Sequence, residues 1–247
     1  MIVGIIPARY ASTRFPGKPL IEIEGKSMIE RVYTQASQSK SLNKVIVATD
    51  DARIFDHVQR FGGQVVMTQS DHSSGTDRCW DALKQISSNT RYVINIQGDE
   101  PFIDPTQIDT LATVLQDEKT ELATLIIPVN DPEVLFDYGE VKVTLNHRME
   151  ALYFSRAVIP YIKGIDLKKW HEHHSYYRHV GMYAYRTDIL EQITQLPVSS
   201  LEKAESLEQL RWLENGFKIK CAITHFDSHC IDTPEDVEKV LRLMNKQ

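Results

Sequence analysis

Ile2-Val3-Gly4-Ile5-Ile6-Pro7-Ala8-Arg9-Tyr10-Ala11-Ser12-Thr13-Arg14-Phe15-Pro16-Gly17-Lys18-Pro19 opens the chain, a short apolar run that passes straight into a cation-rich loop. Five apolar residues without alternation are what a strand buried on both faces requires. Residues 44–49, 64–67 and 92–96 repeat the signature, each brief and rich in Val and Ile. Amphipathic stretches separate them. Ser27 followed by Glu30 signals a capping box that opens a helix. A second helix is expected over 51–61, ended by Gly62-Gly63, a third over 76–86 and a fourth over 105–116. Strand and helix alternating at this spacing predict an α/β fold: right-handed crossovers and a mostly parallel central sheet with helices on both faces.

The second half is more mixed. Strands are expected over 141–145, 151–154, 180–185 and 219–223, and one long helix over 200–215 closed by Gly216. Thr233-Pro234-Glu235-Asp236 is a helix start, with a cap, Pro at the first position and acids in the first turn. That last helix runs to about residue 244. No repeat, low-complexity tract or Pro/Ser-rich linker interrupts the chain. The expectation is one domain over 1–247, with an inserted flap or dimer arm at about 130–180.

The 247 residues are 42% hydrophobic and 25% charged, with 28 basic against 34 acidic side chains and a net charge of −6. That balance argues against a nucleic-acid coat or a membrane-surface role, both of which select a basic face. It leaves room for a local basic pocket. Three widely spaced cysteines, Cys79, Cys221 and Cys230, form no C-x-x-C, so neither a disulfide framework nor a zinc ribbon is expected. The N-terminal apolar run is too short for a signal core or a membrane span. A cytoplasmic protein is the expectation.

Several common motifs are absent. Gly25-Lys26-Ser27 ends like a phosphate-binding loop, but that pattern needs Gly where Leu20 stands, and no G-x-G-x-x-G follows a strand. His171-Glu172 begins like H-E-x-x-H, yet position 175 is Ser175. His171, His173 and His174 lie in a polar stretch without a zinc-site spacing. No D-x-D occurs.

Four segments carry chemistry. The loop 7–19 brings Arg9, Arg14 and Lys18 together with Ser12 and Gly17 at the carboxyl end of the first strand, where α/β sheets place ligands. Arg supplies forked donors and Lys a movable point charge for phosphate oxygens; a solvated basic loop is the plainer alternative. Gln97-Gly98-Asp99-Glu100-Pro101 ends another strand and presents Gln97 and Asp99, the latter a suitable magnesium ligand or an ordinary turn residue. Asp232 precedes the last helix, as a second carboxylate for that ion or as a simple cap. Ser73-Ser74-Gly75-Thr76-Asp77-Arg78 suits close approach by a base or sugar, or caps a helix.

Taken in order, three early motifs resemble the 3-deoxy-manno-octulosonate (Kdo) cytidylyltransferases, the CMP-Kdo synthetases. They are Pro7-Ala8-Arg9-x-x-Ser12-x-Arg14-x-Pro16-Gly17-Lys18-Pro19, Ser74-Gly75-Thr76-Asp77-Arg78 and Gln97-Gly98-Asp99-Glu100-Pro101. Ala151-Leu152-Tyr153-Phe154-Ser155-Arg156-Ala157-x-Ile159-Pro160, Arg178-His179-x-Gly181-x-Tyr183-x-Tyr185, Leu207-Glu208-Gln209-Leu210-Arg211 and Asp232-Thr233-Pro234-Glu235-Asp236 continue the likeness along nearly the whole chain. The resemblance implies a nucleotidyltransferase fold, of the nucleotide-diphospho-sugar transferase type with a dimerisation flap. It also implies a magnesium-dependent homodimer that couples CTP to Kdo and releases pyrophosphate, for lipopolysaccharide biosynthesis.

By that likeness Arg9, Ser12, Arg14 and Lys18 would bind the triphosphate, and Ser74, Gly75 and Arg78 the cytidine. Asp99 and Asp232 would hold Mg2+ and, with Arg9 and Lys18, form the catalytic group. Gln97, Arg156, His179, Tyr183, Tyr185, Glu208 and Gln209 would shape the sugar-acid pocket; Arg156 and His179 could bind its carboxylate or merely support the pocket. Activation of another sugar acid such as a sialic acid, a silent nucleotide-binding regulator, and a zinc hydrolase stand as alternatives.

Overall fold

The computed structural model describes residues 1–11, 15–86, 89–227 and 230–244. Ser12 and Arg14 lie outside the described residues. In chain order the first elements are β1 (Ile2–Ala8), β2 (Glu22–Ile23), β3 (Lys26–Ser27), α1 (Met28–Ala36), β4 (Lys44–Thr49), α2 (Ala52–Arg60), β5 (Val65–Met67), α3 (Gly75–Lys84), β6 (Tyr92–Asn95) and α4 (Pro105–Val114). They are followed by β7 (Leu122–Val129), α5 (Pro132–Phe136), β8 (Lys142–Leu145), β9 (Ala151–Ser155), α6 (Trp170–His173) and β10 (Tyr176–Arg186). The chain ends with α7 (Thr187–Thr194), α8 (Ser200–Glu205), α9 (Gln209–Glu214), β11 (Ile219–Ile223) and α10 (Pro234–Met244). Two compact units contain them: Met1–Asp109 with Ser228–Gln247, and Thr110–Asp227. The stretch 130–180, read as a flap, lies inside the second unit.

In the first unit β6, β1, β4 and β5 lie side by side, all parallel. Val3, Ile5, Ile6, Val47, Val93 and Ile94 have no exposed surface, as two-sided burial demands. Helix starts follow the sequence: Ser27 accepts the Glu30 N–H, Asp51 that of Arg53 and Ser74 that of Asp77. From β1 the chain winds outward through β4 to β5, then crosses back to place β6 on the other side of β1. That reversal opens a crevice at the carboxyl ends of β1 and β6, where open α/β sheets bind ligands. The last helix returns to this unit, where Ile231 and Val240 pack with Ile23 and Met28.

The second unit orders its strands β11, β7, β10, β8, β9, with only β11 and β7 parallel. Its strand β7 is missing from the sequence reading, although 122–129 is as apolar as any strand. Pro128 argues against a strand because it cannot donate to a ladder, and it is accommodated one residue from the strand's end, opposite Tyr177. The long helix expected over 200–215 is two helices. Ser206, with φ 54° and ψ 47°, turns left-handed and closes α8. Arg211 then folds back to grip Glu202 through two bonds of 2.7 and 2.6 Å. In one straight helix those residues would stand about 13.5 Å apart along the axis.

Candidate active site

A cavity of about 460 Å³ in the first unit is lined by Arg9, Lys18, Ser74, Gly75, Arg78, Gln97, Asp99 and Asp232, with Pro7, Ala8 and Gly98. Every described first-unit residue to which the resemblance gives a ligand is there. Three local devices build it. Gly17 adopts φ 74°, a left-handed turn that glycine takes without penalty, and so starts the 3-10 turn carrying Lys18. Gly98 lets the β6 loop approach β1: a Cβ there would lie 2.7 Å from the Pro7 carbonyl oxygen. Ile231 N–H donates to the Asp99 carbonyl at 2.9 Å, tying the segment before α10 to the Gly98-Asp99 turn.

These connections bring Asp99 and Asp232 together, and Lys18 joins them. Lys18 Nζ lies 2.8 Å from Asp99 Oδ2 and 3.1 Å from Asp232 Oδ1. Burial alone would depress the ammonium, but the charges and hydrogen bonds of both carboxylates outweigh it and hold Lys18 above its ordinary value. Asp99 Oδ1 is buried with no hydrogen-bond partner. The Cys230 thiol faces that carboxylate, and lost hydration together with the Asp99 charge keeps it protonated. Asp236, noticed in the sequence only as a first-turn acid, sets the Asp232 turn. Its Oδ2 accepts from Asp232 N at 3.0 Å, Thr233 N at 2.9 Å and the Thr233 hydroxyl at 3.1 Å.

The cytidine candidates have structural duties as well. Ser74 caps α3, and Arg78 donates to the Thr68 hydroxyl at 2.6 Å, the Gln69 carbonyl at 3.3 Å and Asp50 at 3.3 Å. Only 1% of Arg78 is exposed, so its guanidinium braces the cavity wall. Asn95, which leads into the Gln97–Pro101 stretch but is given no role from the sequence, leaves Oδ1 buried without a partner.

The second unit gathers the sugar-acid candidates His179, Tyr183 and Tyr185 of β10. Ring centroids are 5.1 Å apart for His179 and Tyr183, and 6.1 Å for Tyr183 and Tyr185. Phe154 and Trp212, not foreseen, complete the group at 5.3 Å from His179 and 5.0 Å from Tyr183. Glu208 and Gln209 open α9, which also carries Trp212. A bulge in β10 between Val180 and Tyr183 displaces carbonyls that Thr124 approaches, at 2.8 Å from Met182 O and 3.2 Å from Val180 O. His179 Nε2 is 2.9 Å from the same hydroxyl. Burial, helped by Arg178, pushes this imidazole down to about 3, so it is neutral. Tyr183 Oη and Trp212 Nε1 are buried without hydrogen-bond partners. Arg156 instead donates to the Glu205 and Tyr138 carbonyls at 2.9 and 3.2 Å.

The first-unit site fits a hard divalent cation. Two carboxylates meet there, one oxygen is buried and unpartnered, and basic side chains share the cavity. Magnesium takes one or two carboxylates and completes its shell with phosphate oxygens and water. Among the described residues no three His, Cys, Asp or Glu side chains form a group that could hold a metal ion.

Parallel strands, a switch-point cavity and paired carboxylates under a basic loop define a nucleotide-binding α/β transferase. The cytidylyltransferase family model matches residues 3–219, and the chain belongs to that family. A 3-deoxy-manno-octulosonate cytidylyltransferase of Parabacteroides distasonis is 54% identical over 246 residues, covering 98% of this chain and 97% of the relative. An 8-amino-3,8-dideoxy-manno-octulosonate cytidylyltransferase of Shewanella amazonensis is 47% identical over 238 residues, covering 95% of each. The solved structure of a CMP:2-keto-3-deoxy-manno-octonic acid synthetase complexed with CTP superposes with a TM-score of 0.91 at 43% identity, covering 99% of this chain and 98% of that one. Among the described residues no helix is long and apolar enough to cross a membrane.

Proposed function

We propose that this enzyme couples CTP to Kdo, giving CMP-Kdo and pyrophosphate as a step towards lipopolysaccharide. The observation that carries the reading is the Asp99–Asp232 pair beside Lys18 in a cavity built by the β1 and β6 loops. The identities of the relatives support the sugar assignment.

The anomeric hydroxyl of Kdo attacks the α-phosphorus of CTP; the new O–P bond forms as the bond to the β-phosphate breaks, and the hydroxyl proton is lost to water. Both reactants are anionic, so approach is opposed unless the protein compensates. Arg9 and Lys18 bind the triphosphate and stabilise charge gathering on the leaving pyrophosphate; Ser12 and Arg14 are assigned with them from their motif. Gly75 allows close approach of the nucleoside, with Ser74 and Arg78 around it. The resemblance assigns the sugar acid to Gln97 in the first unit and to Arg156, His179, Tyr183, Tyr185, Glu208 and Gln209 in the second. Tyr183 Oη, and Nε1 of Trp212 packed against it, are buried groups without hydrogen-bond partners. Asp99 and Asp232 would hold magnesium, which when bound supplies charge neutralisation and a Lewis acid. We also assign the working form as a cytoplasmic homodimer.

The test is pyrophosphate release with each of four nucleoside triphosphates, with and without Mg2+, against Kdo, its 8-amino-3,8-dideoxy analogue and a sialic acid. Turnover with CTP and Kdo that needs Mg2+ is expected. The similarity to the Shewanella enzyme makes the amino sugar the principal rival, and a higher kcat/KM for it would reassign the substrate. CTP binding without pyrophosphate release would mark a silent regulator.

A further inference from the structure

Lys18 serves two partners that cannot both hold it. Its ammonium touches Asp99 and Asp232 at 2.8 and 3.1 Å, yet it lines the cavity beside Arg9 on the loop read as a phosphate cradle. Two carboxylates this close repel each other, and the ammonium is what keeps them together. A divalent ion brought to the unpartnered Asp99 Oδ1 would stand within a few ångströms of that positive charge. Metal and lysine are therefore in competition even if they use different oxygens.

We propose that Lys18 is the resident counter-ion of the Asp99–Asp232 pair in the nucleotide-free protein, competing with a divalent cation until a triphosphate draws the ammonium away. The inference rests on the magnesium reading above. A flexible four-carbon stem lets the ammonium change partners. Phosphate oxygens offer it a new anion as the metal takes the old ones, so nucleotide and metal each strengthen the other's binding, by reciprocal amounts.

The probe is Mn2+ alone, titrated into the nucleotide-free full chain and followed by the electron paramagnetic resonance of free Mn2+. Lys18→Met and Lys18→Gln are expected to bind Mn2+ at least about tenfold more tightly than wild type. Lys18→Arg, which keeps the charge, should stay within about threefold. A merely structural lysine predicts the opposite sign, because its loss would loosen the site. Neutral variants with wild-type circular dichroism that bind Mn2+ no more tightly overturn the proposal. Should neither fold, 13C-dimethylation of lysines in the wild type decides: the Lys18 resonance, identified by its loss in Lys18→Arg, must shift on adding Mg2+ without nucleotide, and an unmoved signal overturns the proposal. Asp99→Asn separates the two readings. If it leaves Mn2+ binding unchanged, the carboxylate assignment fails; if it abolishes binding while neutral Lys18 variants gain nothing, only the counter-ion assignment fails.

Discussion

Asp99 Oδ2 is spoken for by Lys18, while Oδ1 sits dry and without a partner. Replacing one oxygen by an amide keeps the size of the side chain and removes its charge. Asp99→Asn is therefore expected to lower kcat by about 100-fold or more and to weaken CTP binding by less than that, as for an interaction used mainly in the transition state. Pyrophosphate release under saturating CTP checks this, and near-normal turnover would refute the metal assignment. One position away, Gly98→Ala drives a methyl group against the Pro7 carbonyl, a backbone atom that cannot swing aside. Overpacking of this kind costs about 1–3 kcal/mol, to be read from urea unfolding, and it should weaken CTP binding as the two loops part. At this scale the sequence told which side chains carry charge and which loops bring them to the cavity. It did not tell that Lys18 would face the carboxylates or that Arg78 would be spent on Thr68 and Asp50, since both depend on loops meeting in space.

Elements were legible wherever periodicity and punctuation agreed. The first-unit strands appear within a few residues of expectation, and Ser27, Asp51 and Ser74 cap the helices they precede. Legibility failed where local signals conflicted with a tertiary demand. Pro128 disguised β7, and a good helical pattern over 200–215 concealed the break at Ser206. Two opposite effects follow from that break. Ser206→Gly relieves a left-handed conformation that is costly for a side chain, and should raise stability by about 0.5–1 kcal/mol in spite of the greater freedom it gives the unfolded chain. Arg211→Met leaves Glu202 charged and largely buried without its partner, at a cost of about 3–5 kcal/mol. Denaturant midpoints for the two variants should move in opposite directions, and a common shift would contradict this account of the turn.

Stability of the whole molecule depends on pH through His179. Its folded form is held down to about 3 from an ordinary 6.5, chiefly by burial. The unfolded chain therefore takes up a proton that the folded chain refuses. The contribution is intact above pH 6.5 and drains away as pH falls towards 3. Between pH 7 and 5 the loss is about 2 kcal/mol. Urea unfolding of wild type and His179→Gln at the two pH values should show that much less pH dependence in the variant, and equal slopes would place a charged imidazole in the fold. At this largest scale the chain's first and last segments share one unit although 118 intervening residues, Thr110–Asp227, form another. Asp232 belongs to the returning segment, tied to Asp99 by the backbone hydrogen bond from Ile231 and by the shared Lys18 ammonium. On the proposed metal reading, a nascent polypeptide halted before that return would own the basic loop and the first acid yet lack the second, so turnover would await delivery of the returning segment.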